Sequence, residues 1–341
     1  MWDNLDNKCG GTSGVQIASY FGFGLSVILF LVTTPLTVGI IYGLSKSKVL
    51  LTRNYYLVIL NITIADMLTA ILTDPMSISF HIKEALGPSV ATIATEEQSA
   101  MHFMFFFANI VAVLSMAFLA LDRLGVILTP FFYYRTLTKF RMKIVLVCTW
   151  IASLGISIVY FFIGYIRFLV VFSFSTVALT LIFMLITMLL LRRRLKIAKA
   201  YDTQRRDSRT NVLHKNNNLN DTLPGDTLGT FRRRRDTAIE FTQADQKITK
   251  TFLWMLVLFI MNYVPCIVLV IYMNICVECN CDFVHIMRDI IWFFILASPF
   301  CRALNFLMRL KTLREQVQRV CFPPVDGSES MSSLPLNNIL N

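Results

Sequence analysis

The sequence predicts an all-α bundle of seven membrane-crossing helices, followed by a short amphipathic helix lying along one membrane face. Three observations carry that expectation. Hydrophobic side chains make up 55% of the 341 residues and charged ones only 16%, too little polar surface to cover a soluble globule. Apolar stretches run near residues 16–45, 55–80, 98–121, 144–191, 251–275 and 284–308, each long enough for the ~20 residues that one crossing needs. The basic residues gather on one side of those stretches, which also separates this +11 chain from nucleic-acid binders, whose charge lies on a soluble face.

The first three stretches and the last two each read as one span. The fourth holds two. From Ile144 to Leu191 it runs 48 residues with a single charge, Arg167, about twice the length of one crossing at ~1.5 Å per residue. Gly164, Tyr165, Ile166 and Arg167 form the only plausible turn inside it. With seven spans the two chain ends lie on opposite sides, and only Lys8, Lys83, Arg167 and Arg288 of the 32 basic residues share the N-terminal side. Basic loops stay in the cytoplasm, so the N-terminus is expected outside. No charged leader with a cleavage site precedes the first span, which is expected to act as its own insertion signal.

Around the bundle, 1–15 is expected to be a short extracellular segment, 16–308 the bundle, 309–321 the amphipathic helix and 322–341 a cytoplasmic tail. About 200–244, with Asn216 to Asn218 and the run Arg232 to Arg235, has the composition of a disordered cytoplasmic loop. Basic residues at its start, Arg192 to Arg194, suit contact with anionic membrane lipids. Cys148, Cys266 and Cys301 lie in spans as small buried thiols. Cys9, Cys276, Cys279 and Cys281 face the oxidising side, where four cysteines can form two disulfides in three connectivities; at least one bridge from Cys9 to the last outer loop is expected. Cys321, past the basic amphipathic stretch, is a candidate for palmitoylation.

Charged side chains at membrane depth are costly unless paired or hydrated, so each is a candidate for function. Asp66, Asp74, Arg302 and the pair Asp122-Arg123 stand out. Asp74 lies two turns from Asp66 on one helix, beside Pro75, where it can receive a cationic ligand group or pair with His285 or Arg288. The outer half of the third span, with His102, Phe103, Phe105, Phe106, Phe107 and Asn109, suits an aromatic ligand pocket with a few polar handles. Histidines occur only at 81, 102, 214 and 285, far apart in sequence, which gives no metal-ligand or catalytic spacing; no cofactor, metal or enzymatic activity is expected.

Several of these residues resemble signatures of the rhodopsin-like G-protein-coupled receptors. Leu60-Asn61 through Ala65-Asp66 looks like the second-helix motif, with Asp66 at the position that binds sodium in many members. Asp122-Arg123-Leu124, with Pro130 eight residues after Asp122, resembles the Asp-Arg-Tyr switch and the second inner loop, and Trp150 sits where the fourth helix usually carries tryptophan. In the sixth span Phe259 and Pro265 keep the family's six-residue spacing, Tyr263 stands where the tryptophan toggle is usual, and Asp245 occupies the acidic partner position of the arginine switch. Arg309 to Arg314 resembles the family's amphipathic inner helix.

The departures are as specific. Gln98 stands where a cysteine usually tethers the second outer loop, Val38-Gly39 replaces a Gly-Asn pair, and the fifth span lacks its proline and tyrosine. Two seventh-helix alignments are open: one places Arg302-Ala303-Leu304-Asn305-Phe306 on the Asn-Pro-x-x-Tyr signature, the other uses Ser298-Pro299. In the first, Arg302 supplies Asp66 with a covalently attached cation where relatives hold sodium, Ala112 having replaced a third-helix polar residue. The resemblance implies a divergent receptor with partly degraded activation motifs, passing an unidentified small-molecule, lipid or peptide signal to a heterotrimeric G protein. Phe105 at the amine-binding position and the lack of lysine between Asp282 and Arg309 disfavour amine and retinal ligands. The alternative class is an ion-conducting or transporter protein using the intramembrane Asp and Arg residues.

Overall fold

The computed structural model of the protein describes residues 13–47, 50–52, 54–87, 95–128, 133, 135, 137–164, 168–190, 192, 193, 196, 251, 254–273 and 280–321. These are helical apart from short turns, with no strand among the described residues. Helix α1 is Ser13–Lys46, α2 spans Asn54–Leu86 and α3 is Thr95–Leu128. Helix α4 spans Lys139–Ile163, α5 includes Phe174–Leu190, and α6 is Trp254–Met273. Helix α7 is Cys281–Arg309 and α8 is Lys311–Cys321. Six of these are apolar and long enough to cross a bilayer, and α5 is a shorter apolar helix. Together they make a multi-pass membrane bundle. We call the end where α1 begins the N-face and the end carrying α8 the C-face.

Local chemistry sets the ends and bends. Thr138 caps α4 by accepting a hydrogen bond from the Arg141 N–H, satisfying one of the free amides of the first turn. Gly164 ends α4 at φ 80°, a left-handed conformation that side chains with a Cβ rarely adopt. Helix resumes at Phe168, so the 48-residue stretch does divide at the expected turn. In α2, Pro75 has no N–H and its ring crowds the carbonyl four residues back. The helix answers by widening to a π turn over Thr69–Thr73, with the Asp74 N–H bonded to the Thr69 carbonyl.

Helix α1 packs on α2, α7 and α8, α2 packs on α3, and α3 on α4. At Gly43 a Cβ would lie 2.8 Å from Val317 Cγ2, so only glycine lets α8 approach α1 this closely. Leu313 on α8 is fully buried there. One buried apolar cluster, including Ile62, Met116, Phe259 and Phe306, fills the C-face half; a second, with Phe105, Phe106, Phe168 and Trp292, fills the N-face half. The outward faces are apolar as well. Ile144, Val147, Ile151, Leu154 and Ile158 on α4 are all exposed, a helical stripe that only lipid covers without cost.

Arg288, expected in an outer loop, lies inside α7 and is buried. Asp245, Cys9, Cys276 and Cys279 lie outside the described residues, as do the expected cytoplasmic loop and the tail. Cys281 and Cys321 are the first residue of α7 and the last of α8.

Candidate functional site

Midway through the bundle, α2 and α7 present opposite charges to each other. Arg302 Nε lies 3.1 Å from both oxygens of Asp66 and Nη2 lies 2.5 Å from Oδ1, a two-pronged pair. Asp66 is 1% exposed and Arg302 6%. The second edge of the guanidinium is also occupied: Nη1 donates to Ser298 Oγ at 2.6 Å and to the Tyr263 hydroxyl at 3.4 Å. Tyr263 in turn donates to Asn109 Oδ1 at 2.6 Å. A polar path thus runs from α2 through α7 and α6 to α3. Asp66 faces Arg302, and Ser298, one turn along α7, supports that arginine; the residues of both candidate alignments meet at one point. Phe259 packs against Tyr263 with the rings tilted by 36° and their centroids 4.6 Å apart, and Pro265 lies inside α6. A layer below, Asn61 joins three helices, donating to Ser115 Oγ at 2.8 Å and accepting from the Trp150 indole at 2.8 Å.

The aromatic residues expected to line a ligand pocket pack on one another instead. Phe105 and Phe106 are buried in the N-face cluster, where Phe106 contacts Phe168 at 4.6 Å and Phe105 meets Trp292 edge-on at 5.5 Å. His102 stacks on Trp292 at 6.1 Å, and its Nδ1 lies 3.3 Å from the Tyr160 hydroxyl. Large rings on neighbouring turns fill space with each other more readily than they enclose a cavity. Asn109 is turned to Tyr263.

Asp74 is buried, and its Oδ1 has no hydrogen-bond partner among the described residues. It pairs with neither His285 nor Arg288. Those two go to Glu84, three turns nearer the N-face, a residue that sequence reasoning passed over. Arg288 Nη2 bonds both Glu84 oxygens, at 2.7 and 2.6 Å, and reaches Asp289 Oδ1 at 3.1 Å. His285 Nδ1 lies 3.4 Å from Glu84 Oε1, His81 Nδ1 lies 3.9 Å from Oε2, and Ser19 Oγ on α1 donates to Oε2 at 2.8 Å. Beside this hub Lys83 pairs with Glu97 on α3, which also accepts from Ser79. The available signal was the spacing: His81 and Glu84 are i,i+3 and His285 and Asp289 i,i+4, each pair sharing one helix face.

At the C-face, Arg123 Nη2 pairs with Asp122 Oδ2 at 2.9 Å and its guanidinium lies 4.8 Å over the Tyr55 ring, a cation–π contact. The Tyr133 hydroxyl donates to Asp122 Oδ1. Burial and the neighbouring carboxylate push the Tyr133 phenol above its ordinary value, because both disfavour a second negative charge.

The fold and these sites define an all-helical, multi-pass membrane protein with charged groups paired inside the bundle. The family model of the seven-transmembrane receptors (rhodopsin family) matches residues 37–305, and the chain belongs to that family. No curated protein matches the chain in sequence.

Proposed function

We propose that the chain is a plasma-membrane receptor, N-terminus outside, that relays an extracellular small-molecule, lipid or peptide signal to a heterotrimeric G protein. The observation that carries this reading is the Asp122-Arg123 pair at the end of α3, clamped by Tyr133 and Tyr55, in a chain of the rhodopsin family. A guanidinium at the membrane edge needs carboxylate partners, and releasing it exposes the inner end of α3 to a cytoplasmic protein. Asp245 is the expected second carboxylate of that latch. Orientation is supported by the basic C-face, where Lys311, Arg314 and Arg319 of α8 stand beside Arg309, whose guanidinium lies 4.8 Å over Trp254.

In this reading the Asp66–Arg302 pair stands in for the sodium ion of related receptors, and the altered motifs at Leu124 and Tyr263 shift the resting balance toward silence or constitutive activity. The N-terminal segment is tied by a disulfide between Cys9 and Cys276, Cys279 or Cys281, and Cys321 carries a lipid. Non-reducing mass spectrometry of surface protein tests the bridge; four free thiols there sink it.

The deciding experiment is ligand-free coupling of the expressed chain to a panel of G proteins. Asp245→Ala should raise basal signalling at equal surface expression. An unchanged or lower level removes the latch, and steady ion currents without coupling replace the receptor reading by a channel.

A further inference from the structure

The hub on the N-face holds more donor atoms than its ion pair uses. We propose that His81, Glu84 and Asp289 form a binding site for a zinc-like divalent cation that joins α2 to α7, with a water completing the coordination. One ligand atom from each of the three lies within 4.8 Å of the others. Tetrahedral zinc at about 2.0–2.2 Å from its ligands sets them about 3.3–3.6 Å apart, so the donors must draw in by about an ångström. His81 Nδ1 and Asp289 Oδ2 are buried without a hydrogen-bond partner among the described residues, and His81 is 2% exposed. Buried polar atoms left unpaired are unfavourable, and a group that completes them is favoured.

The donor set selects the ion. One imidazole with two carboxylates, and a water in the fourth position, suits zinc and its neighbours, whereas calcium requires six to eight oxygens and magnesium retains its waters. Arg288 contacts the same carboxylates, with its Nη2 2.6 Å from Glu84 Oε2 and 3.1 Å from Asp289 Oδ1, and so competes with the ion for them. Glu84 and Asp289 together carry two negative charges against the one positive charge of Arg288, so the hub attracts a cation. The supporting layer is built: Ser19 orients Glu84 Oε2, and a Cβ at Gly22 would lie 3.0–3.2 Å from three atoms of the His81 ring. A larger residue at this position of α1 would press on that ring. Such supporting contacts hold metal ligands in position.

Zinc binding is measurable on the purified full-length chain in lipid nanodiscs and needs no signalling partner, so its failure and that of the receptor reading are separate. Thermal unfolding is followed with zinc, calcium or magnesium added, and retained zinc per chain is counted after dialysis. Zinc should raise the unfolding midpoint in a concentration-dependent way and calcium and magnesium should not, with one zinc retained. His81→Ala and the isosteric Asp289→Asn should each weaken zinc binding at least about tenfold. A variant with Cys9, Cys276, Cys279 and Cys281 changed to Ser should keep the zinc effect, which decides the matter even where a hub variant folds poorly. No zinc effect in the unaltered chain, persistence in both hub variants, or loss with the cysteines overturns the site.

Discussion

Two carboxylate–arginine pairs join α2 to α7, and they are built to different ends. At mid-bundle, Asp66 and Arg302 answer each other with two-pronged geometry, and Ser298 and Tyr263 take the remaining guanidinium edge. Near the N-face, Glu84 and Arg288 are ringed by His81, His285 and Asp289, whose nitrogen and oxygen atoms are only partly matched. The first pair is closed chemistry: it neutralises a charge that lipid would not tolerate and fixes how two helices face each other. The second is open chemistry, with spare donors at the end of the bundle, where a ligand from solution has a short way in. A carboxylate paired with an arginine thus serves cohesion at one depth and, in the proposed cation site, recognition at another, and the number of unmatched neighbours separates the two uses.

The comparison breaks most readily at its buried member. Asp66→Asn and Arg302→Ala should each lower folded surface expression, since an uncompensated buried charge costs about 3–5 kcal/mol by analogy with soluble proteins. The double change Asp66→Asn with Arg302→Gln should recover part of that loss, because no net charge is then stranded. Sodium should leave the unfolding midpoint where lithium or potassium leaves it; a sodium-specific rise would mean that Arg302 does not take the place of an ion.

Glu84→Gln should cost less, about 2 kcal/mol, the scale of hydrogen bonds to a charged group. The Glu84 side chain is 11% exposed, and nearby Asp289 keeps a partner for Arg288. Chemical or thermal unfolding of the two single variants side by side ranks them; a Glu84 loss equal to that of Asp66 erases the distinction drawn here.

Tyr263→Phe should come next, at about 1 kcal/mol. It strips the link between Arg302 and Asn109 while leaving the main pair whole, and its effect should be smaller in a background already lacking Arg302, where only the bond to Asn109 is left to lose. Additive losses in that double-variant cycle would show that Tyr263 packs but does not relay.

The smallest effect belongs to Tyr133 at the C-face. Tyr133→Phe should cost about 1 kcal/mol or less at neutral pH. The phenol is raised in the folded chain, so its contribution is full below the ordinary tyrosine value of about 10 and falls away as pH rises through and above it. The substituted chain should therefore lose stability less steeply in alkali, and an unaltered alkaline profile would place Tyr133 outside the Asp122 contact.

Much of this was legible because single residues announce themselves in an apolar background. Gly164 marked the turn between α4 and α5 because it stands three residues before Arg167, the single charge in a stretch of 48 residues. Asp66 and Arg302 drew notice for the same reason, a charge in a span needing an opposite charge at equal depth. Phe105 and Phe106 are buried against each other in the structure, and side chains of this kind look alike in sequence whether they line a cavity or fill one. Asp74 was matched to the wrong helix neighbour for a related reason: α2 widens at the π turn before Pro75, and which face a later residue presents depends on that local unwinding.

By itself the sequence determined the class, the number of crossings and the distribution of charge, because each follows from composition and spacing along one chain under the constraint of the bilayer. The partners of Glu84 were decided only by the tertiary structure. Arg288 stands 204 residues away, and no periodicity links helices that far apart. Whether two such groups meet depends on how α2 and α7 tilt and pack on α1, with Gly22 making room for His81, and that is a property of packed surfaces that a one-dimensional pattern does not contain.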